Sequence, residues 1–199
     1  MDVFDTINSL RAVRNFDSKP VENEKIMKIL NAAIKAPSSA NSQPWEFMVL
    51  RDFEKKKKVG QVVALAWSKY VEDKLNVLPE NTKKLFQSVT ELVEKTQQIP
   101  VIILACLDLD KASKTEESKY ASIYPAVQNI LLAAHALGLG TCLTTHGCTE
   151  TRGESQVKQI LQIPDRIKIA AFIYLGYPIK KLHFPKRIEL DDKVHFNEW

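Results

Sequence analysis

Glycine is scarce in this chain: there are six in 199 residues, and none before Gly60. No GxGxxG follows an early strand and no GxxxxGK[ST] exists anywhere, while Gly138-Leu-Gly140 closes a helical stretch instead of opening one. A backbone cradle for a dinucleotide or a nucleoside triphosphate is thereby disfavoured, so any phosphate must be held by side chains. The three cysteines (Cys106, Cys142, Cys148) are odd in number and form no CxxC, which argues for a reducing compartment and against a disulfide framework. His135, His146, His183 and His195 are scattered, with no HExxH and no Cys/His pair at ligand spacing, so no structural metal is expected. Gly-x-Ser-x-Gly is absent, which leaves a nucleophile elbow without support. No basic and apolar leader is readable, and no apolar run approaches the roughly 18 residues that cross a bilayer. The expectation is a cytoplasmic protein that does not enter a membrane.

What is present describes a globular domain, with 45% hydrophobic and 26% charged residues, enough for a sizeable core. The net charge of +4 is mild. Its densest run, Lys55 to Lys58, has no interleaved aromatics, so it reads as a solvated helix face and not as a nucleic-acid site. Apolar spacing predicts helices over 3–10, 23–36, much of 52–98, 119–137 and 154–162. Strands are predicted over 46–51, 99–106, 141–145 and 168–175. The run Ile99-Pro-Val-Ile-Ile-Leu-Ala-Cys106 reads as a strand covered on both faces. The helix at 119–137 is apolar nearly all round, which places it in the core or in a subunit interface. Residues 1–178 read as one domain, and 179–199 as an extended arm without a trusted period.

One stretch looks chemical. In Ala36-Pro-Ser-Ser-Ala-Asn-Ser-Gln-Pro-Trp45, Pro37 and Pro44 stiffen both ends. Between them Ser38, Ser39, Asn41, Ser42 and Gln43 offer hydrogen-bonding groups on short stems. That suits a planar heteroaromatic ligand with polar edges. Pro, Ser and Asn are also turn residues for local backbone reasons, so composition leaves a plain turn open. Candidate anion ligands are Arg11 and Arg14 near the start and Lys186 and Arg187 in the arm, each open to being a surface charge. Among the histidines His135 reads as a satisfied core residue, while His146, beside Gly147 past a strand end, is better placed for chemistry.

Five stretches, in order, resemble the nitroreductase family of FMN-dependent oxidoreductases. They are Arg11-Ala-Val-Arg-Asn-Phe16, the 36–45 loop, Tyr124-Pro-Ala-Val-Gln-Asn-Ile-Leu-Leu-Ala-Ala134, Ala136-Leu-Gly-Leu-Gly140 and Leu175-Gly-Tyr-Pro178. The resemblance implies an α+β fold, with a mixed, mainly antiparallel sheet flanked by helices. It implies an intertwined homodimer with FMN at the interface and each C-terminal arm (179–199) packed on the partner subunit. Arg11, Ala12, Val13 and Arg14 would line the flavin from one subunit, with Arg14 beside its N1–O2 edge. Pro37, Ser38, Ser39, Asn41 and Gln43 would pack on it from the other. Thr144, Thr145, His146 and Gly147 would run along the ring, and Lys186 and Arg187 would hold the phosphate. Many relatives carry two arginines and a serine where this chain has Leu10-Arg11-Ala12, which shifts phosphate binding toward Arg11 and Arg187. The implied reaction is ping-pong transfer from NADH or NADPH to a small electron-poor acceptor, a nitro compound or quinone. Dehalogenation, flavin cleavage, biosynthetic ring oxidation and non-catalytic flavin binding are the alternatives within the resemblance.

Overall fold

The structure, a computed structural model, describes residues 2–72, 74, 79–180, 185, 187–190 and 193–199, without the side chains of Asn81 and Arg152. Its helices are α1 (Val3–Ser9), α2 (Asn23–Ala33), α3 (Phe53–Glu72), α4 (Glu80–Glu94), α5 (Glu116–Ala136) and α6 (Glu154–Leu161). Its strands are β1 (Trp45–Leu50), β2 (Val101–Asp108), β3 (Gly140–Thr144) and β4 (Ile167–Gly176). They form a four-stranded sheet in the order β1-β2-β4-β3, every neighbouring pair antiparallel. The parallel component reduces to an isolated bridge between Ala12 and Thr141. The class is α+β, as expected.

Both faces of the sheet are covered, and β2 shows how. It is buried along its whole length. Val101, Ile103, Ala105 and Leu107 point into one core with α2 and α5, while Ile102, Leu104 and Cys106 point into a second core with α3, α4 and α6. A strand between two helical layers therefore reads as a continuous apolar run. It begins two residues later than expected because Pro100, lacking an N–H, precedes the ladder.

One expectation is corrected and two are sharpened. Lys56, in the run read as a solvated face, is 5% exposed and donates to the carbonyl of Ile99. Helical spacing puts it on the inner side with Val59, Gly60, Val63 and Trp67. Burial lowers its pKa, with Asp52 opposing. Helix α5 is covered by its own chain on one side only: Ile123, Ala126, Val127, Ile130 and Ala134 are buried, but Tyr124, Leu131 and Leu132 are half-buried and Gln128 is exposed. His135 lies on this less covered side, half-buried, its Nε2 2.7 Å from Ser9 Oγ of α1. The break expected at 76–79 falls, apart from Pro79, outside the described residues.

Candidate functional site

After α1 the chain runs extended along the start of β3. The amide of Val13 donates to the carbonyl of Thr141 at 2.7 Å. Val13 is buried against Gly140, where an added Cβ would lie 2.6 Å from Val13 Cγ2. Glycine thus admits an approach that any side chain would block. Fixing Val13 fixes its neighbours: Ala12 is exposed, and Arg11 and Arg14 are half-buried. The Nε of Arg14 is buried with no hydrogen-bond partner among the described residues. The side chain lines a cavity of about 160 Å³ with Phe16, Glu91, Lys95 and Gln98. A guanidinium nitrogen left unmatched next to a cavity calls for an acceptor that the described residues do not supply. Burial pushes up the pKa of the Cys142 thiol on β3, and the positive charge of Arg14 opposes that rise.

The far end of β3 carries the second group. Thr144 Oγ1 accepts the amide of His146 at 3.2 Å. Gly147 turns with φ +88°, and a Cβ added there would lie 3.2 Å from Phe172 Cε2 and 3.2 Å from Val63 Cγ2. Thr144, Thr145 and His146 are half-buried. The His146 ring meets Trp67 edge-on, with centroids 5.0 Å apart, and lies 5.5 Å from Tyr70. These partners come from α3, so the strand end and the helical pair form one surface.

The third group is the 37–43 loop. Ala40 (φ 51°), Asn41 (φ 53°) and Gln43 (φ 47°) all adopt the left-handed region, and none is glycine. Such conformations cost on the order of 1–2 kcal/mol for alanine and less for asparagine. Local bonds hold them: Gln43 N donates to Ser38 Oγ at 3.0 Å, Gln43 Nε2 to Asn41 Oδ1 at 3.2 Å, and Asn41 N to Ser38 O at 3.0 Å. Ser39 N donates to Ser122 Oγ at 3.1 Å and ties the loop to α5. Ser42 Oγ is buried with no partner among the described residues. Strain concentrated in one polar loop marks a site more than a connection.

These groups do not all meet in one chain. Residues 11–14 and 144–147 share β3, but the 37–43 loop leads into β1, the opposite edge of the sheet. Two strands lie between, so the edges stand roughly 14 Å apart at ordinary strand spacing. Arg187 is exposed, and Lys186 lies outside the described residues. No group of three or more His, Cys, Asp or Glu among the described residues could hold a metal ion. Lys95 and Gln98 were missed from sequence, because a Lys-Thr-Gln-Gln stretch closing a charged helix has no distinguishing spacing.

Comparison with known proteins decides the family. The nitroreductase family model matches residues 7–177. The chain belongs to the nitroreductase family. Within it, the chain is 30% identical to a Methanothermobacter thermautotrophicus protein named for NADH dehydrogenase or NAD(P)H nitroreductase activity, covering 100% of this chain and 88% of that one. It is 26% identical to iodotyrosine deiodinase 1 of Mus musculus, over 96% of this chain and 67% of the relative. An FMN-dependent nitroreductase from Clostridium difficile R20291 superposes with a TM-score of 0.72 at 25% identity, covering 98% of each chain. An iodotyrosine deiodinase bound to FMN and 3-iodo-L-tyrosine shares the nitroreductase fold with a TM-score of 0.81 at 23% identity, each chain fully covered.

Proposed function

We propose that this nitroreductase-family protein is an FMN-dependent oxidoreductase that takes electrons from NAD(P)H and passes them to an electron-poor acceptor, a nitro compound or a quinone. The observation that carries the reading is Arg14, whose Nε is buried with no partner among the described residues and whose side chain lines a cavity beside the strand that the family resemblance places along the flavin. FMN, when bound, supplies the acceptance of hydride from the nicotinamide and the delivery of electrons to the second substrate.

The residues present fit that group. Arg14 and Lys95 line the cavity with a single carboxylate, Glu91, and would set net positive charge where negative charge develops during reduction. Arg11 and Arg187, with Lys186, bind the phosphate through fixed guanidinium forks and a flexible ammonium. Residues 144–147 border the ring, and Gly147 lets the chain turn there against Phe172 and Val63. Reductant and acceptor use one exposed face in turn, which makes the cycle ping-pong. Solvent supplies the protons, so no side chain is assigned as a general acid.

The protein works as an intertwined homodimer with residues 179–199 packed across the partner. Support comes from the separation of the 37–43 loop from the 11–14 segment within one chain, and from uncovered apolar surface. Phe4 is 70% exposed on α1, which packs on α5, and Ile188 in the arm is 75% exposed. Large apolar side chains left open to this degree fit an interface. The loop of one subunit then packs on the flavin held by residues 11–14 of the other.

Anaerobic addition of NADH or NADPH to the FMN-loaded protein tests the reading. Loss of the oxidised-flavin absorbance, restored by a nitroaromatic or a quinone, is the expected result. Flavin that stays oxidised under excess of both nucleotides would leave a binding protein without catalysis. The 26% identity to a deiodinase favours a second reading, reductive dehalogenation, which predicts bleaching by NAD(P)H with negligible turnover of nitro compounds.

A further inference from the structure

An ion pair with a buried carboxylate is tied to the turn that borders the candidate flavin ring. Strand β3 pairs with β4 only as far as Thr144, opposite Phe172. Beyond it the chain closes a turn, with Cys148 N donating to Thr145 O at 3.2 Å and His146 and Gly147 between them. Where that turn ends, the ammonium of Lys168 on β4 donates to the carbonyl of Cys148 at 3.0 Å. The same ammonium donates to Glu154 Oε2, while Glu154 Oε1 accepts the amide of Ile169 at 3.0 Å. A second ammonium, Lys158 of α6, stands off at 4.0 Å from Oε1. Glu154 is itself fixed at the start of α6, its amide donating to Thr149 O at 3.0 Å.

Glu154 is 1% exposed and Lys168 is half-buried. Desolvating such a carboxylate is costly, and a well-packed apolar pair of the same size often serves stability as well or better. An apolar pair cannot, however, donate to a carbonyl. We propose that Lys168, oriented by Glu154, is a positioning residue for the flavin border, its bond to Cys148 fixing the turn that presents residues 144–147. The inference rests on the flavoenzyme reading above, and Lys168 acts through the turn without touching the flavin. Loss of the ammonium frees the end of the turn and leaves Glu154 without its nearest charge partner.

The test separates position from stability. Lys168→Met, Lys168→Arg and the double variant Lys168→Met with Glu154→Gln are compared with the wild type. The readouts are thermal unfolding, hydrogen exchange over 144–149 in the flavin-free protein, visible circular dichroism of bound FMN, and its anaerobic reduction by NADH. Lys168→Met should lower the melting temperature, raise exchange over 144–149 and change the dichroism of the flavin. It should slow flavin reduction about 10- to 100-fold while KM for NADH stays within about twofold. Lys168→Arg keeps a charged donor and should restore all of these. In the double variant the Gln amide oxygen still accepts from Ile169 and no buried carboxylate is left unpaired, so the melting temperature should return toward wild type. Exchange, dichroism and reduction rate should stay altered, and this variant carries the test if Lys168→Met alone does not fold. Unchanged exchange and flavin properties in both Met variants, or flavin properties that recover with the melting temperature in the double variant, would overturn the inference. Wild-type protein that does not bind FMN, or holds it unreduced, brings down the flavoenzyme reading and the inference with it. Normal bleaching in the wild type confines any failure to Lys168.

Discussion

The amide of Val13 donates to the carbonyl of Thr141 at 2.7 Å, and its side chain packs on the bare Cα of Gly140. This contact, with the Phe16–Pro178 bridge beyond it, attaches the segment of the two candidate flavin-binding arginines to the sheet. Everything assigned to Arg11 and Arg14 depends on how closely the extended segment approaches β3.

Gly140→Ala should therefore disturb both fold and site. The new methyl would lie 2.6 Å from Val13 Cγ2 and 2.8 Å from Val13 Cβ, so the segment must move. Overpacking of this kind costs about 1–3 kcal/mol. FMN affinity should fall with stability, as Arg11 and Arg14 shift together. Val13→Ala in the same chain removes the clashing Cγ1 and Cγ2, leaves Cβ at 2.8 Å, and should restore part of both. Calorimetry and fluorescence titration of FMN check the pair of variants, and an unchanged melting temperature for Gly140→Ala would contradict the packing described.

Arg14→Ala should weaken FMN binding by about 10- to 100-fold, the worth of a lost charge-assisted hydrogen bond of roughly 1.5–3 kcal/mol. Stability without flavin should hold or rise slightly, because the variant removes a buried nitrogen that has no partner among the described residues. Arg14→Lys keeps the charge but loses the fork, and should recover part of the affinity. The reduction potential of bound flavin should drop in Arg14→Ala and less in Arg14→Lys, as read by dye equilibration.

Cys106 gives a pH dependence whose sign is fixed. Burial, with the Glu154 charge adding, pushes its thiol from 9.0 up to about 12. The folded chain keeps this proton at pH values where the unfolded chain releases it. Its contribution to stability is fully present below the unfolded value near 9.0 and is lost as pH rises toward about 12. Thermal stability should decline across that window, and Cys106→Val should flatten the decline. The same burial predicts that thiol reagents label Cys106 only after unfolding.

Much of this architecture could be read from the residues. The apolar run ending at Cys106 announced a doubly covered strand, and the order of five short motifs announced the family. What stayed hidden depended on three-dimensional approach. Lys56 looked like one of four equivalent solvated lysines until the phase of α3 turned it inward onto Ile99. The 36–45 loop revealed its polar groups but not its strain, since no local rule puts Ala40, Asn41 and Gln43 together in the left-handed region without glycine. Lys95 and Gln98 became visible only because α4 ends beside the segment carrying Arg14. Trp67 and Tyr70 of α3 had the spacing of an ordinary core stripe, and only the seat of His146 against them joined them to the site.

The central claim is that each chain holds half of two flavin sites, with residues 11–14 on one side of the sheet and the 37–43 loop on the other. Subunit complementation tests it most directly. One chain carries Arg14→Ala and the other carries Ser39→Ala with Asn41→Ala; each is produced alone and then both together, and bound FMN is counted per chain. Random pairing makes about half of the dimers mixed, and each mixed dimer holds one site free of substitutions, so about a quarter of wild-type flavin occupancy should return. Occupancy in the mixture no higher than the mean of the two separate variants would contradict a site shared between chains.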